Sequence, residues 1–451
     1  MQISVQSAKQ NLGIEHAPHV HSSMTTTKIM LLVLISLLPA VGVMTYFFGA
    51  ATIVQFVIAA VVAIVCQVLA ALLRGRSLKR ACQDPSGLVT ALLLALTLPP
   101  LLPWYLTVIA TAFAMLIVRE CFGGLGMNIF NPAMSGFIFL VISVPGVFYT
   151  TWITPTPEAL FRATPSRVCE VIFQGADPTI LTAEIKDLNA RQEAEYTIKL
   201  EQAWQEAART HQQLTAPQEG ATAQEDGQNA AATANAASTT DTASNADTAS
   251  DTQQQPQAAQ QSAAYLELSP IEPHITADAL TGATFLESIK TARKAGNVDT
   301  QPKLDFMSPS FIAYACLAAA YFFGGMVLIC TKVIRFQVPL FFLLTMMVIG
   351  ALWHYFDPTL SISALEHLLM GGTMLGAFYI ITDPVTTCGT FKGRILLSMI
   401  IAVLIIVIRV HGSYSDSVAF AVMLGNCLAP LMDVLTKRRP FGIGYRKGGL
   451  D

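Results

Sequence analysis

Residues 28–73 read KIMLLVLISLLPAVGVMTYFFGAATIVQFVIAAVVAIVCQVLAALL. The hydrocarbon core of a bilayer takes about 20 mostly apolar residues per helix, so this stretch holds two crossings, 28–48 and 51–73. Arg74, Arg76, Lys79 and Arg80 follow at once, and such clusters mark the cytoplasmic side. Working outward with the same ruler, further crossings fall at 101–119, 132–150, 309–331, 336–354, 395–411 and 417–435. Two more are short and interrupted. Ser86-Gly87 opens one that ends at Pro99-Pro100, and Gly371-Gly372 opens another that ends at Asp383-Pro384. Ten crossings result. A cleavable signal peptide is not expected, because no small-residue cleavage site lies between the first run and the second.

Composition agrees. Apolar residues are 53% of the 451 and charged residues 13%, against roughly 25% charged in soluble domains. A string of soluble domains is excluded. The net charge of −3 conceals a partition: residues 151–308 carry 10 Lys/Arg against 21 Asp/Glu, while the remainder is basic. A basic apolar body with an acidic loop makes the lipid bilayer a partner and argues against nucleic acid. With ten alternating spans, Lys332 and Arg335, Lys392 and Arg394, and Lys437, Arg438, Arg439, Arg446 and Lys447 share the side of Arg74. Both termini, 1–27 and 437–451, are then cytoplasmic, and the 151–308 loop lies outside.

The chain also repeats. At an offset of 285, Gly87 meets Gly372, Thr97 meets Thr382 and Pro99 meets Pro384; at 290, Arg119 meets Arg409. Five spans per half, 28–150 and 309–436, is an odd number, which requires inverted topology. Short Gly/Pro-interrupted segments at matching places in inverted halves point to a site near the midplane. The expected fold is an all-α polytopic membrane protein of two inverted five-helix repeats.

In the outside loop, Pro155, Pro157, Pro165 and Pro178 break any long element over 151–181. Residues 182–213 are rich in Ala, Glu, Lys and Gln, the composition of a solvated helix. Residues 214–262 have almost nothing large to bury and read as disordered. Order returns at Tyr265, ahead of ITADALTGATFLESIKTARKAG at 275–296. Within it, Thr284 and Glu287 have the spacing of a capping box, with Asp278 and Thr281 as turn residues. The same geometry suits a phosphate ester, since a phosphate on Thr284 meets free helix N–H groups and the positive dipole end. Lys290, Arg293 and Lys294 add cationic charge along that helix.

Asp278-Ala-Leu-Thr281-Gly282-Ala283-Thr284 resembles the motif on which flavin transferases attach FMN through a phosphodiester to the last threonine. Its surroundings resemble the flavin-bearing loop of the NqrB/RnfD family, on the RnfD side of it. Residues 27–34, Gly123 to Met134, Gly372 to Phe378 with Thr382-Asp383-Pro384, and Ser417 to Val422 with Pro430 to Asp433 resemble the family's first, fourth-to-fifth, eighth and tenth spans. Coverage is residues 15–150 and 265–445. The long 182–262 region departs from the family's shorter loop. The resemblance implies a bacterial inner-membrane subunit of an Rnf-type complex coupling NAD and ferredoxin chemistry to cation movement. It implies FMN on Thr284 at the periplasmic face, with Asp278, Thr281, Gly282 and Ala283 as the attachment motif. It further implies a second, noncovalent riboflavin, other subunits of the complex as partners, and no independent catalytic residue in this chain.

Other candidates read more plainly. Eight cysteines show no C-x-x-C spacing and read as buried or unremarkable thiols. His16, His19 and His21 lack the ligands to complete a metal site. Gly123, Gly124 and Gly126 read as close-packing glycines between helices. Among Glu120, Glu366, Asp383, Arg409, Asp416 and Asp433, the interrupted eighth span makes Asp383 the ion-pathway candidate. Arg409 and Asp433 read as interfacial anchors. The rival reading is a solute channel or secondary transporter without a redox role; a third is a scaffold for other subunits.

Overall fold

The computed structural model describes residues 24–153, 155, 163–178, 309–358, 361–412 and 417–436, with scattered residues between 180 and 209. The Asp278–Thr284 motif, the 214–262 tract, His16, His19, His21, Asp416 and the 437–451 tail lie outside them. The chain divides into two compact units, Thr197–Ala279 and the rest; the described residues of the first are helical. Everything below concerns the larger unit.

Helices α1 (Thr26–Phe48) and α2 (Ala51–Leu73) match the opening hairpin. Thr25 caps α1 by accepting from Lys28 N, and Gly49 ends it at φ 85°, a conformation open to glycine without a Cβ clash. A short α3 (Leu78–Gln83) leads to α4 (Ser86–Thr97), whose start is fixed by Asp84 accepting from the backbone N–H and hydroxyl of Ser86. The fourth span is α5 (Trp104–Ala112), which widens into a π-helix over Phe113–Glu120. The fifth is two helices, α6 (Pro132–Ser143) and α7 (Pro145–Thr150), because Pro145 cannot donate to a continuing helix.

After the long loop come α9 (Pro309–Cys330) and α10 (Gln337–Phe356), then α11 (Ala364–Leu369) and α12 (Thr373–Leu375), which passes into a π-helix over Gly376–Ile380. The chain ends with α13 (Phe391–His411) and α14 (Val418–Leu435). Six helices, α1, α2, α9, α10, α13 and α14, are long and apolar enough to cross a membrane, and α4 and α6 are shorter apolar helices. The described residues form no strand. The protein is an all-α polytopic membrane protein.

Two expectations change. Gly371 and Gly372, at φ 63° and 66°, do not open the eighth span. They break it, with α11 before them; Ser363 and Glu366 form the capping box that starts α11, so Glu366 is a cap. In the loop, Pro165 starts an element: α8 (Pro165–Gln174) has proline at its first turn and Gly175 at φ 73° as its left-handed cap, the usual helix punctuation. Val168, Val171 and Ile172 bury its apolar face.

The halves pack through α1 against α9 and α6 against α14. In the first half α2 lies against α4 and α5; in the second α10 lies against α11 and α13. At the α1–α9 crossing a Cβ on Gly324 would strike the Ser36 carbonyl oxygen and the Tyr379 hydroxyl. Gly324→Ala is expected to cost about 1–3 kcal/mol or more, as overpacking does. Gly42, with open space around it, should gain about 0.5–1 kcal/mol on the same change. Melting temperatures of the two variants in detergent check this; a harmless Gly324→Ala would contradict the crossing.

Candidate functional site

Two cavities lie between the halves. One, of about 110 Å³, is on the side where the long loop begins and ends; its lining includes Phe48, Phe137, Trp152, Tyr314, Tyr321 and the Met370-Gly371-Gly372 break. The other, of about 210 Å³, is on the side of the chain termini, and its lining includes Ser86, Arg119, Asn128, Asn131, Tyr379 and Asp383. The first is aromatic; the second mixes donors and acceptors.

The sequence repeat places Arg119 and Arg409 at equivalent positions, and the structure puts them at opposite ends of the membrane body. Both are buried, at 3% and 4% exposure. Arg119 donates to Asp84 Oδ2 at 3.0 Å and lies 3.6 Å from Glu120 Oε1. Arg74 pairs with Glu120 at 2.9 Å. Arg409 is not an interfacial anchor. It donates to the carbonyls of His367 (2.8 Å), Met370 and Gly371 (both 3.1 Å) and to the Thr373 hydroxyl (2.8 Å). One guanidinium thus spans the break in the eighth segment, using the fork geometry that distinguishes Arg from Lys. Sequence reasoning missed this role; the offset match to Arg119 was the available signal.

Asp383 does face the terminal-side cavity. Its carboxylate accepts from Val385 N at 3.3 Å and the Thr386 hydroxyl at 3.1 Å. Asp433 accepts from Gly389 N, Thr390 N and the Thr390 hydroxyl. From α14 it holds Thr390, the N-cap residue of α13, a more specific task than interfacial anchoring. Asn131 caps α6 and lines the cavity with Asn128.

Gly123, Gly124 and Gly126 have φ of 124°, 98° and 94°. They shape a loop and do not serve helix packing; Gly136, against the Ala110 carbonyl, does that. Cys66 and Cys388 are buried, but Cys121, Cys316, Cys330 and Cys427 are exposed. Burial, with the Asp433 charge second, pushes the Cys388 thiol up to about 12, so it stays protonated. Among the described residues no three His, Cys, Asp or Glu side chains gather as metal ligands.

Broken helices packed in two halves, with a cavity toward each side and ionisable groups inside, define a polytopic membrane protein of the all-α class. The NQR2, RnfD, RnfE family model matches residues 13–442, and the chain belongs to that family. It is 33% identical over 438 residues to a Salmonella paratyphi B protein, covering 96% of this chain and 99% of that one. Proteins of Salmonella heidelberg and Salmonella typhimurium are 33% identical over 443 residues, with the same coverage. The name that all three carry is that of the D subunit of an ion-translocating oxidoreductase complex.

Proposed function

We propose that this chain is the flavin-bearing membrane subunit of an Rnf-type ion-translocating complex that couples electron transfer between NAD and ferredoxin to cation movement. The observation that carries the reading is the Asp278–Thr284 motif within a chain of this family. A flavin transferase would esterify Thr284 with FMN, and Asp278, Thr281, Gly282 and Ala283 would be its recognition segment. The chain would lie in the bacterial inner membrane with both termini cytoplasmic and residues 151–308 periplasmic.

The cavities support this reading. Trp152 and Tyr314, at the two roots of the long loop, line the aromatic cavity, and Thr284 precedes Pro309 by 25 residues. Aromatic walls suit a planar ring. On the other side, Ser86, Asn128 and Asn131 offer the mixed donors and acceptors that a flavin's pyrimidine edge requires, and they would hold the noncovalent riboflavin. The flavins supply the redox chemistry; the chain supplies position and electrostatics. Asp383 would carry a cation on the terminal side, where a buried carboxylate is costly enough to need a purpose.

Broken helices in inverted halves also fit a solute channel or secondary transporter. Mass spectrometry of the 265–294 peptide from the native host separates the readings. The expected result is a mass increase matching FMN on Thr284. An unmodified peptide leaves channel or scaffold.

A further inference from the structure

We propose that the adjoining starts of α10 and α13 form a binding site for an anionic phospholipid, whose phosphate Lys332, Arg335, Lys392 and Arg394 hold. Such a site is independent of any flavin. The two helices pack in parallel: Trp353 and His411 meet at their far ends, with ring centroids 5.3 Å apart. At their near ends, Arg335 lies close enough to Arg394 for the two charges to act on one another.

Lysine and arginine are favoured on one side of a membrane protein, and that bias accounts for their sign alone. The first half pairs its cations, Arg74 with Glu120 at 2.9 Å and Arg119 with Asp84 at 3.0 Å. Lys332, Arg335, Lys392 and Arg394 have no ion pair among the described residues. The carboxylate that acts on Arg394, Asp433, already accepts from Gly389 N, Thr390 N and the Thr390 hydroxyl. Arg394 gives Nε to the Cys388 carbonyl (2.7 Å) and Nη2 to that of Gly389 (2.9 Å). Those bonds fix the guanidinium and leave Nη1 for an outside acceptor. The terminal segments supply little negative charge, since residues 1–27 and 437–451 hold Glu15 and Asp451 against six Lys/Arg.

The backbone fits an anion too. Lys332 has φ 59°, the left-handed position after a helix where glycine is the usual residue; a lysine there keeps a charge at the cost of strain. Helix α10 begins at Phe336 with no side-chain cap and no acidic residue in its first turn. Its leading N–H groups and positive dipole end are therefore open to a phosphate. The surroundings decide what the phosphate carries. Phe336 and Phe391 are exposed beside the cations, and Leu340, Leu344, Leu396 and Met399 are exposed further along the same helices. In a membrane-spanning body those side chains face hydrocarbon, so charge and apolar contact fall at the depths of a headgroup and its acyl chains. Basic pockets between membrane helices take anionic headgroups in this way. A soluble acidic partner would meet the cations and leave the apolar faces unused.

The test places the full chain in nanodiscs of phosphatidylcholine, alone or mixed with phosphatidylglycerol, and follows thermal unfolding and the lipid retained on delipidation. The wild type is expected to retain phosphatidylglycerol over phosphatidylcholine about tenfold or more, given the pull of several cations on one headgroup. Lys332→Gln, Arg335→Gln and Lys392→Gln combined should bring that preference within about twofold. Melting in phosphatidylcholine alone should not fall, because these three side chains have no printed-out role in holding the fold: they pair with none of the described residues. No preference in the wild type overturns the site, as does a preference that survives in the triple variant. Inorganic phosphate that stabilises the wild type as well as phosphatidylglycerol does overturns the lipid in favour of a free ion. In the assembled complex, Lys332 and Lys392 shielded from an amine reagent equally with and without phosphatidylglycerol would reveal another subunit on the patch and overturn the lipid as well.

Discussion

Thr284→Ala is expected to give a chain that inserts normally and carries no covalent flavin. The phosphodiester needs one hydroxyl oxygen, and alanine has none, so the loss is complete. Insertion is untouched because it depends on the apolar spans, which resume at Pro309 after this segment. Fluorescence of the denatured subunit in a gel reads the result directly. A mutant signal equal to the wild type would refute the assignment of Thr284. Reporter fusions give an independent check: residue 284 found in the cytosol would place it beyond a periplasmic transferase.

Arg409→Leu is expected to be the most damaging change in the membrane body. The Gly371 carbonyl loses the donor shown for it, while those of His367 and Met370 keep the Thr373 hydroxyl, which donates to each at 2.9 Å. Leaving a buried acceptor without its donor costs about 1–3 kcal/mol, a sizeable part of the roughly 5–15 kcal/mol that holds a protein folded. Arg409→Lys should recover little, since an ammonium group cannot serve several carbonyls in a plane. Arg74→Ala, by contrast, breaks the partly exposed pair with Glu120 and should cost no more than about 1 kcal/mol. Thermal unfolding in detergent ranks the three. Equal melting temperatures for Arg409→Leu and Arg74→Ala would remove the clamp from the account.

The spans were legible because hydrocarbon excludes an unpaired backbone: any run of about 20 apolar residues has one stable answer there. Even the interrupted spans showed themselves through Ser86-Gly87 and Gly371-Gly372. Their internal form did not. Glycine marks a place where the chain can turn, but the left-handed conformations at Gly371 and Gly372 are held by contacts from α13, far along the chain. Pro165 likewise reads equally as a break or a first turn until Val168, Val171 and Ile172 find something to cover. Asp383 could be picked out because a carboxylate inside an apolar segment is costly. Arg409 was misjudged because its partners are backbone oxygens, which no sequence pattern displays.

Taken alone, the order of residues determined that this chain is a bundle of membrane helices; inverted halves and chemical roles for Thr284 and Asp383 are expectations it raises. Local propensity and the insolubility of bare peptide groups in lipid suffice for the bundle. Only the packed structure decided that two cavities face opposite sides, that Tyr321 and Tyr379 meet between them, and that Arg409 grips the break in the eighth segment. Those facts depend on contacts between residues from 36 to 343 positions apart, and such contacts exist only once the helices have packed against one another.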